Sequence, residues 1–253
     1  MSYALYIFDL DGTLFRGNEP IPGAVDCVQR VRSAGSKVRF LTNNSGQTRE
    51  TYLNKLRGMG FEAEPKEIYS SAIGVAACLT AMQVRRAFVV GEPGLKLTLQ
   101  DAGIEVVEEG AEAVVVGICR TFSYELMSAA MKEIRAGARF IASNTDPTYP
   151  VEGGQFIPGA GSIVAAVQTC AENAPFVVGK PNPYLVELIL RDAGLNPTDA
   201  LVIGDRMDTD VEAGKRAGCE TLLVMTGAAL DAPEGQSWLP SVADLVPASR
   251  QFR

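Results

Sequence analysis

Eight short runs of apolar, β-prone residues recur along the chain, and each leads toward a stretch with helical spacing: "YALYIFD", "KVRFLTNN", "AFVVGE", "AVVVGI", "ARFIASN", "FVVGK", "ALVIGD" and "TLLVM". Between them the apolar periodicity predicts helices over 24–34, 47–59, 123–136, 183–193 and 208–217, the last two stopped by Ala-Gly pairs. Strands that are apolar on both faces must be covered on both. Alternation with helices therefore predicts an α/β fold built on a parallel sheet with helices on each side.

Four of these runs end in a polar residue: Asp9, Thr42 with Asn43, Lys180 and Asp205. In open parallel sheets ligands bind at the carboxyl ends of the strands, so ends far apart in sequence can meet at one site. Any one of them could simply mark where a strand stops. Four chemically complementary ends point to a shared site.

Composition narrows the chemistry available there. The chain of 253 residues has no histidine, which removes Ser-His-Asp and Cys-His catalysis and the His-containing zinc sites. A net charge of -7 opposes nucleic-acid binding, which usually needs a basic face. No apolar run is long enough for a membrane helix. The five cysteines are scattered, without a CxxC pair, and read as small reduced core residues of a cytoplasmic protein. Carboxylates, hydroxyls, amides, lysine and a hard cation remain.

"DLDGT" supplies a carboxylate at a strand end, Asp9, and a second in the turn, Asp11. Two close carboxylates repel unless a cation or a proton intervenes. With a divalent cation present, Asp9 is placed to attack phosphorus and Asp11 to exchange a proton with the leaving oxygen. Gly12 permits the turn, and Thr13 is expected to hydrogen-bond locally. In "FLTNNSGQTR", Thr42, Asn43 and Asn44 offer donors for a phosphate, or alternatively cap the helix from about Gln47. Lys180 in "VVGKPNP" supplies positive charge and offsets repulsion at Asp9. In "VIGDRMDTD", Asp205 fits a magnesium ligand together with Asp9 and the backbone carbonyl of Asp11. Asp208 reads as a helix cap, and Asp210 as a group supporting the ligands or orienting Lys180.

With these segments together, the chain resembles the haloacid dehalogenase superfamily of phosphohydrolases, in the branch of NagD and the 4-nitrophenyl phosphatases. "DLDGTLFRG", "IPGA", "FLTNNSGQTRETYLNKLRGMGF", "IASNTDPTYP", "GAGSIVAA", "VVGKPNP" and "VIGDRMDTDVEAGKRAG" match in order over most of the chain. The resemblance implies a Rossmannoid core of residues 1–75 and 178–253 with a large α/β cap inserted at 76–177. It also implies magnesium-dependent phosphomonoester hydrolysis through an aspartyl phosphate. Asp9 would be the nucleophile and Asp11 the general acid/base; Thr42, Asn43, Asn44 and Lys180 would hold phosphate, and Asp9, Asp11 and Asp205 would hold Mg2+. The cap loop with Asp146 and Tyr149 would face a small phosphorylated metabolite such as a sugar phosphate.

No nucleic-acid or membrane partner is expected, and a homodimer is left open. A phosphomutase shares the aspartyl-phosphate step. A signalling receiver domain also phosphorylates an aspartate beside magnesium, but as a single domain without the inserted middle. No G-x-G-x-x-G follows an early strand to suggest a dinucleotide site. The tail around Trp238 reads as a loop.

Overall fold

The computed structural model describes residues 3–150, 156–229, 231 and 234–247. The chain divides into two compact units: Met1–Thr42, Tyr52–Tyr69 and Lys180–Arg253 form one, Asn43–Thr51 and Ser70–Gly179 the other. Both are built on parallel sheets.

The first unit opens with β1 (Leu5–Asp9), a small antiparallel hairpin of β2 (Phe15–Arg16) and β3 (Glu19–Pro20), helix α1 (Ala24–Ser33) and β4 (Lys37–Thr42). Helix α2 (Arg49–Gly58) and β5 (Ile68–Ser70) follow. After the second unit come α7 (Tyr184–Ala193), β13 (Ala200–Gly204), a π-helical turn over Met207–Val211, α8 (Glu212–Arg216), β14 (Glu220–Val224) and β15 (Trp238–Leu239). The sheet order is β15-β14-β13-β1-β4-β5. Trp238, expected in a loop, instead pairs in parallel with Leu223 at the sheet edge. A two-residue strand is too short to carry a periodicity.

Residues alternate between the faces of these strands. Tyr6, Phe8, Val38, Phe40, Leu201 and Ile203 bury one face against Cys27, Val28 and Val31 of α1 and Tyr52, Leu53 and Leu56 of α2. Ile7, Leu41 and Val202 fill the opposite face and are also buried, which explains the unbroken apolar runs.

The second unit repeats the plan. Its sheet, in order β12-β9-β8-β6-β7, uses β6 (Arg86–Val90), β7 (Glu105–Val106), β8 (Ala113–Val116), β9 (Arg139–Ala142) and β12 (Phe176–Val177). Phe88, Val114, Val116 and Phe140 pack with Ala130 and Ile134 of α5 (Tyr124–Arg135) and Val164 and Val167 of α6 (Ala160–Ala171). Helices α3 (Ser71–Ala81) and α4 (Pro93–Asp101) pack against each other in the same unit. A short antiparallel pair, β10 (Thr148–Pro150) and β11 (Phe156–Pro158), precedes α6. The unit is made of Ser70–Gly179 together with Asn43–Thr51. That segment is held there by side chains: Ser71 Oγ and Asn144 Nδ2 donate to the Asn43 carbonyl, and Ser143 Oγ bonds Ser45 Oγ at 3.1 Å. None of the five cysteines is in a disulfide, and only Cys170 among them is part-exposed. Among the described residues, no helix is long and apolar enough to cross a membrane.

Candidate active site

Register sets the site in the first unit. Asp9 pairs with Leu41, which puts Thr42 one step beyond it, and Phe8 pairs with Ile203, which puts Asp205 just past the end of β13. Asp9, Thr42 and Asp205 thus leave one sheet edge together. Lys180 opens the return of the chain into this unit and is 3 % exposed. Its ammonium donates to Asp9 Oδ1 and to Asp210 Oδ1, both at 2.5 Å.

Carboxylate oxygens of Asp9, Asp205 and Asp210 lie within 4.8 Å of one another. Desolvation drives the Asp9 carboxyl well above its ordinary range. Lys180 pulls it down, while Asp210 and Asp205 push it further up. Asp205 is pushed up to about 7, first by burial and then by the charge of Asp210. Burial alone would lower the Lys180 ammonium, but Asp210 and Asp9 outweigh it and raise it. One ammonium facing three buried carboxylates leaves negative charge to be balanced. Hard oxygen donors at this spacing suit a divalent cation such as magnesium.

One sequence expectation changes at the π-helical turn, and another, Asp210 orienting Lys180, is met there. Asp208 does not cap the helix; it pairs with the Arg206 guanidinium at 2.8 and 3.1 Å, which lowers its pKa. Asp210 takes the backbone N–H of Arg206 at 3.0 Å, so one carboxylate both closes the turn and holds Lys180. The third carboxylate of the cluster is therefore Asp210, and the Asp11 carboxyl is not among the three. Asp11 is partly buried; desolvation raises its carboxyl, opposed by Lys55 and Lys180. Lys55 of α2, which sequence reasoning missed, sits 4.1 Å from the ring centroid of Phe15. Its spacing on the helix looked like that of any surface lysine. Thr13 was expected to bond locally, yet its buried hydroxyl has no partner among the described residues.

In the second unit, Asn43 Nδ2 donates to both oxygens of Asp146, at 3.1 and 3.3 Å. Asn44 Oδ1 accepts the Gly46 N–H at 2.8 Å, an Asx turn. Neither residue caps α2: Thr48 Oγ1 accepts the Thr51 N–H and takes that role. Tyr149 falls in β10, and its side chain lies outside the described residues.

Two family models match the chain: haloacid dehalogenase-like hydrolase over residues 6–105 and HAD-hydrolase-like over 177–246. Glycerol-3-phosphate phosphatase of Gallus gallus is 34 % identical over 96 % of this chain and 90 % of that protein. The chain belongs to the haloacid dehalogenase family. It is a phosphatase of the NagD and 4-nitrophenyl phosphatase branch. The solved p-nitrophenyl phosphatase from Archaeoglobus fulgidus superposes with a TM-score of 0.90 at 35 % identity, covering 96 % of this chain and 98 % of that one. Glycerol phosphate phosphatase from Mycobacterium tuberculosis, solved with magnesium, gives 0.86 at 33 % identity over 95 % of this phosphatase and 75 % of its own chain.

Proposed function

We propose that this phosphatase hydrolyses the monoesters of small polyol and sugar phosphates with magnesium, through a phosphorylated Asp9. The observation that carries the reading is Lys180, buried between Asp9 and Asp210 beside Asp205. Asp9, Asp205 and the backbone carbonyl of Asp11 would hold the ion, with Asp210 steadying Lys180. Magnesium, when bound, offsets phosphate charge and keeps the attacking carboxylate ionised.

Asp9 attacks phosphorus and the bond to the leaving oxygen breaks, while Asp11, whose raised pKa favours a retained proton, protonates that oxygen. Asp11 then takes a proton from water as the water attacks the aspartyl phosphate, and orthophosphate leaves with Asp9 restored. Lys180, Thr42, Asn43 and Asn44 hold the phosphoryl oxygens; Asn43 and Asn44 follow Thr42 directly in the chain. The inserted unit, expected as residues 76–177, selects the substrate through the loop of Asp146 and Tyr149. The buried cysteines Cys27, Cys119 and Cys219, outside any disulfide, support a cytoplasmic setting for the protein.

With magnesium, the protein should release phosphate from 4-nitrophenyl phosphate and from small alkyl phosphates, and should stop in chelator, with calcium a poor replacement. Asp9→Asn should lose at least about 10,000-fold in rate and take up no covalent phosphate by intact mass after an acid quench. Turnover in chelator, or a phosphorylated Asp9→Asn protein, overturns the mechanism.

A further inference from the structure

The loop after β14, residues 225–229, touches the site at several points, and no sequence motif singled it out. The Ala228 N–H donates to Asp205 Oδ2 at 2.6 Å, and the Ala229 N–H to the Asp205 backbone carbonyl at 3.1 Å. Thr226 Oγ1 donates to the Gly12 carbonyl at 2.7 Å. From the outer side, Arg16 donates through Nε (2.8 Å) and Nη2 to the Thr226 carbonyl. Three segments distant in sequence, the turn after β1, the end of β13 and this loop, are thereby fixed to one another.

The space around Asp205 is equally specified. A Cβ on Gly227 would lie 1.9 Å from Asp205 Oδ2, and one on Gly12, where φ is +86°, would lie 2.6 Å from the same oxygen. Only glycine admits the carboxylate at both places. With Oδ2 engaged by a backbone N–H in this cradle, the carboxylate's orientation is set and Oδ1 is left for a ligand.

We propose that Thr226, Gly227 and Ala228 form a positioning element for Asp205. Ala228 and Gly227 fix the direction of its carboxylate, and the Thr226 hydroxyl locks that loop to the turn bearing Asp11. Thr226 touches no reacting atom in this scheme. It acts by keeping the Asp205 and Asp11 oxygens at a fixed separation, and so the inference rests on the magnesium reading above.

Magnesium titrated calorimetrically into metal-free protein tests it apart from activity. Thr226→Val keeps the shape and removes the donor; it should bind magnesium about 10-fold more weakly and need about 10-fold more for half-maximal turnover. Thr226→Ser should restore both to within about 3-fold of wild type. Gly227→Ala, which drives a methyl into Asp205, should weaken binding by about 100-fold. Unchanged magnesium affinity in Thr226→Val, or equal weakening in Thr226→Ser, overturns the inference alone. Wild-type protein that takes up no magnesium overturns the metal reading with it. Should Thr226→Val fail to fold, the exposed change Arg16→Met must weaken magnesium binding in the same direction, and no change there overturns the inference.

Discussion

At the carboxyl end of the β13-β1-β4 sheet the buried polar groups are ionisable and opposed: Asp9, Asp205 and Asp210 around Lys180. At the carboxyl end of the β9-β8-β6 sheet they are neutral and mutually satisfied: Ser143 on Ser45, with Asn144 on the Asn43 carbonyl and on Ser143. Two sheets of the same handed plan therefore put the same topological position to different use. One gathers more buried carboxyls than its single ammonium can balance, which costs stability. The other uses hydroxyls and amides to fasten a chain segment. Fold alone does not separate the two; ionisation state does.

The contrast can be broken at three points, of decreasing size. Asp11→Asn should cut turnover of an alkyl phosphate by about 100- to 10,000-fold, yet 4-nitrophenyl phosphate much less, because nitrophenolate departs without a proton. Phosphoenzyme should also accumulate in a rapid quench. Equal loss on both esters would remove Asp11 from its role as proton donor.

A second, intermediate effect comes from pH. Asp205 moves from an ordinary 3.8 to about 7 on folding, chiefly through burial. The folded protein holds a proton that the unfolded chain has released, so this group's contribution is intact below about pH 4 and is lost as pH rises through 7. Metal-free protein should accordingly melt at falling temperatures across that window, and Asp205→Asn should flatten the decline. A wild-type midpoint independent of pH between 4 and 7 would contradict the burial of an ionisable Asp205 at this edge.

The smallest effect belongs to the neutral edge. Asn144→Ala should destabilise by about 1–3 kcal/mol, the cost of leaving buried partners unsatisfied, with no pH dependence between 4 and 7. Denaturant melts at the two ends of that range measure both statements.

How much of this was legible in sequence follows from how each residue is placed. Asp9, Thr42 and Asp205 stood out because a polar side chain interrupts a continuous apolar run, and register then carried them to one edge. Lys55 did not, since a lysine on an amphipathic helix has the same spacing whether it faces water or a buried ring. Asp208 was read as a helix cap because an aspartate just before a helix is spaced for one; the π-helical turn instead leaves it to the Arg206 guanidinium and gives the Arg206 N–H to Asp210. The membership of Asn43–Thr51 in the second unit depends on Ser71, Ser143 and Asn144, partners far away in sequence, which no local pattern reports.

The pairing of Leu5 with Ala200 has a consequence for how the protein is made. Strand β1 leaves the ribosome first, but its central neighbour β13 is synthesised only after the whole of the inserted unit. Folding of the insert first would shorten the effective span between the two strands and lower the entropy cost of closing so long a loop. Asp9 is thus made long before Lys180, the ammonium it pairs with in the folded protein. A chain interrupted before that lysine would carry Asp9 without the ammonium that faces it in the folded protein.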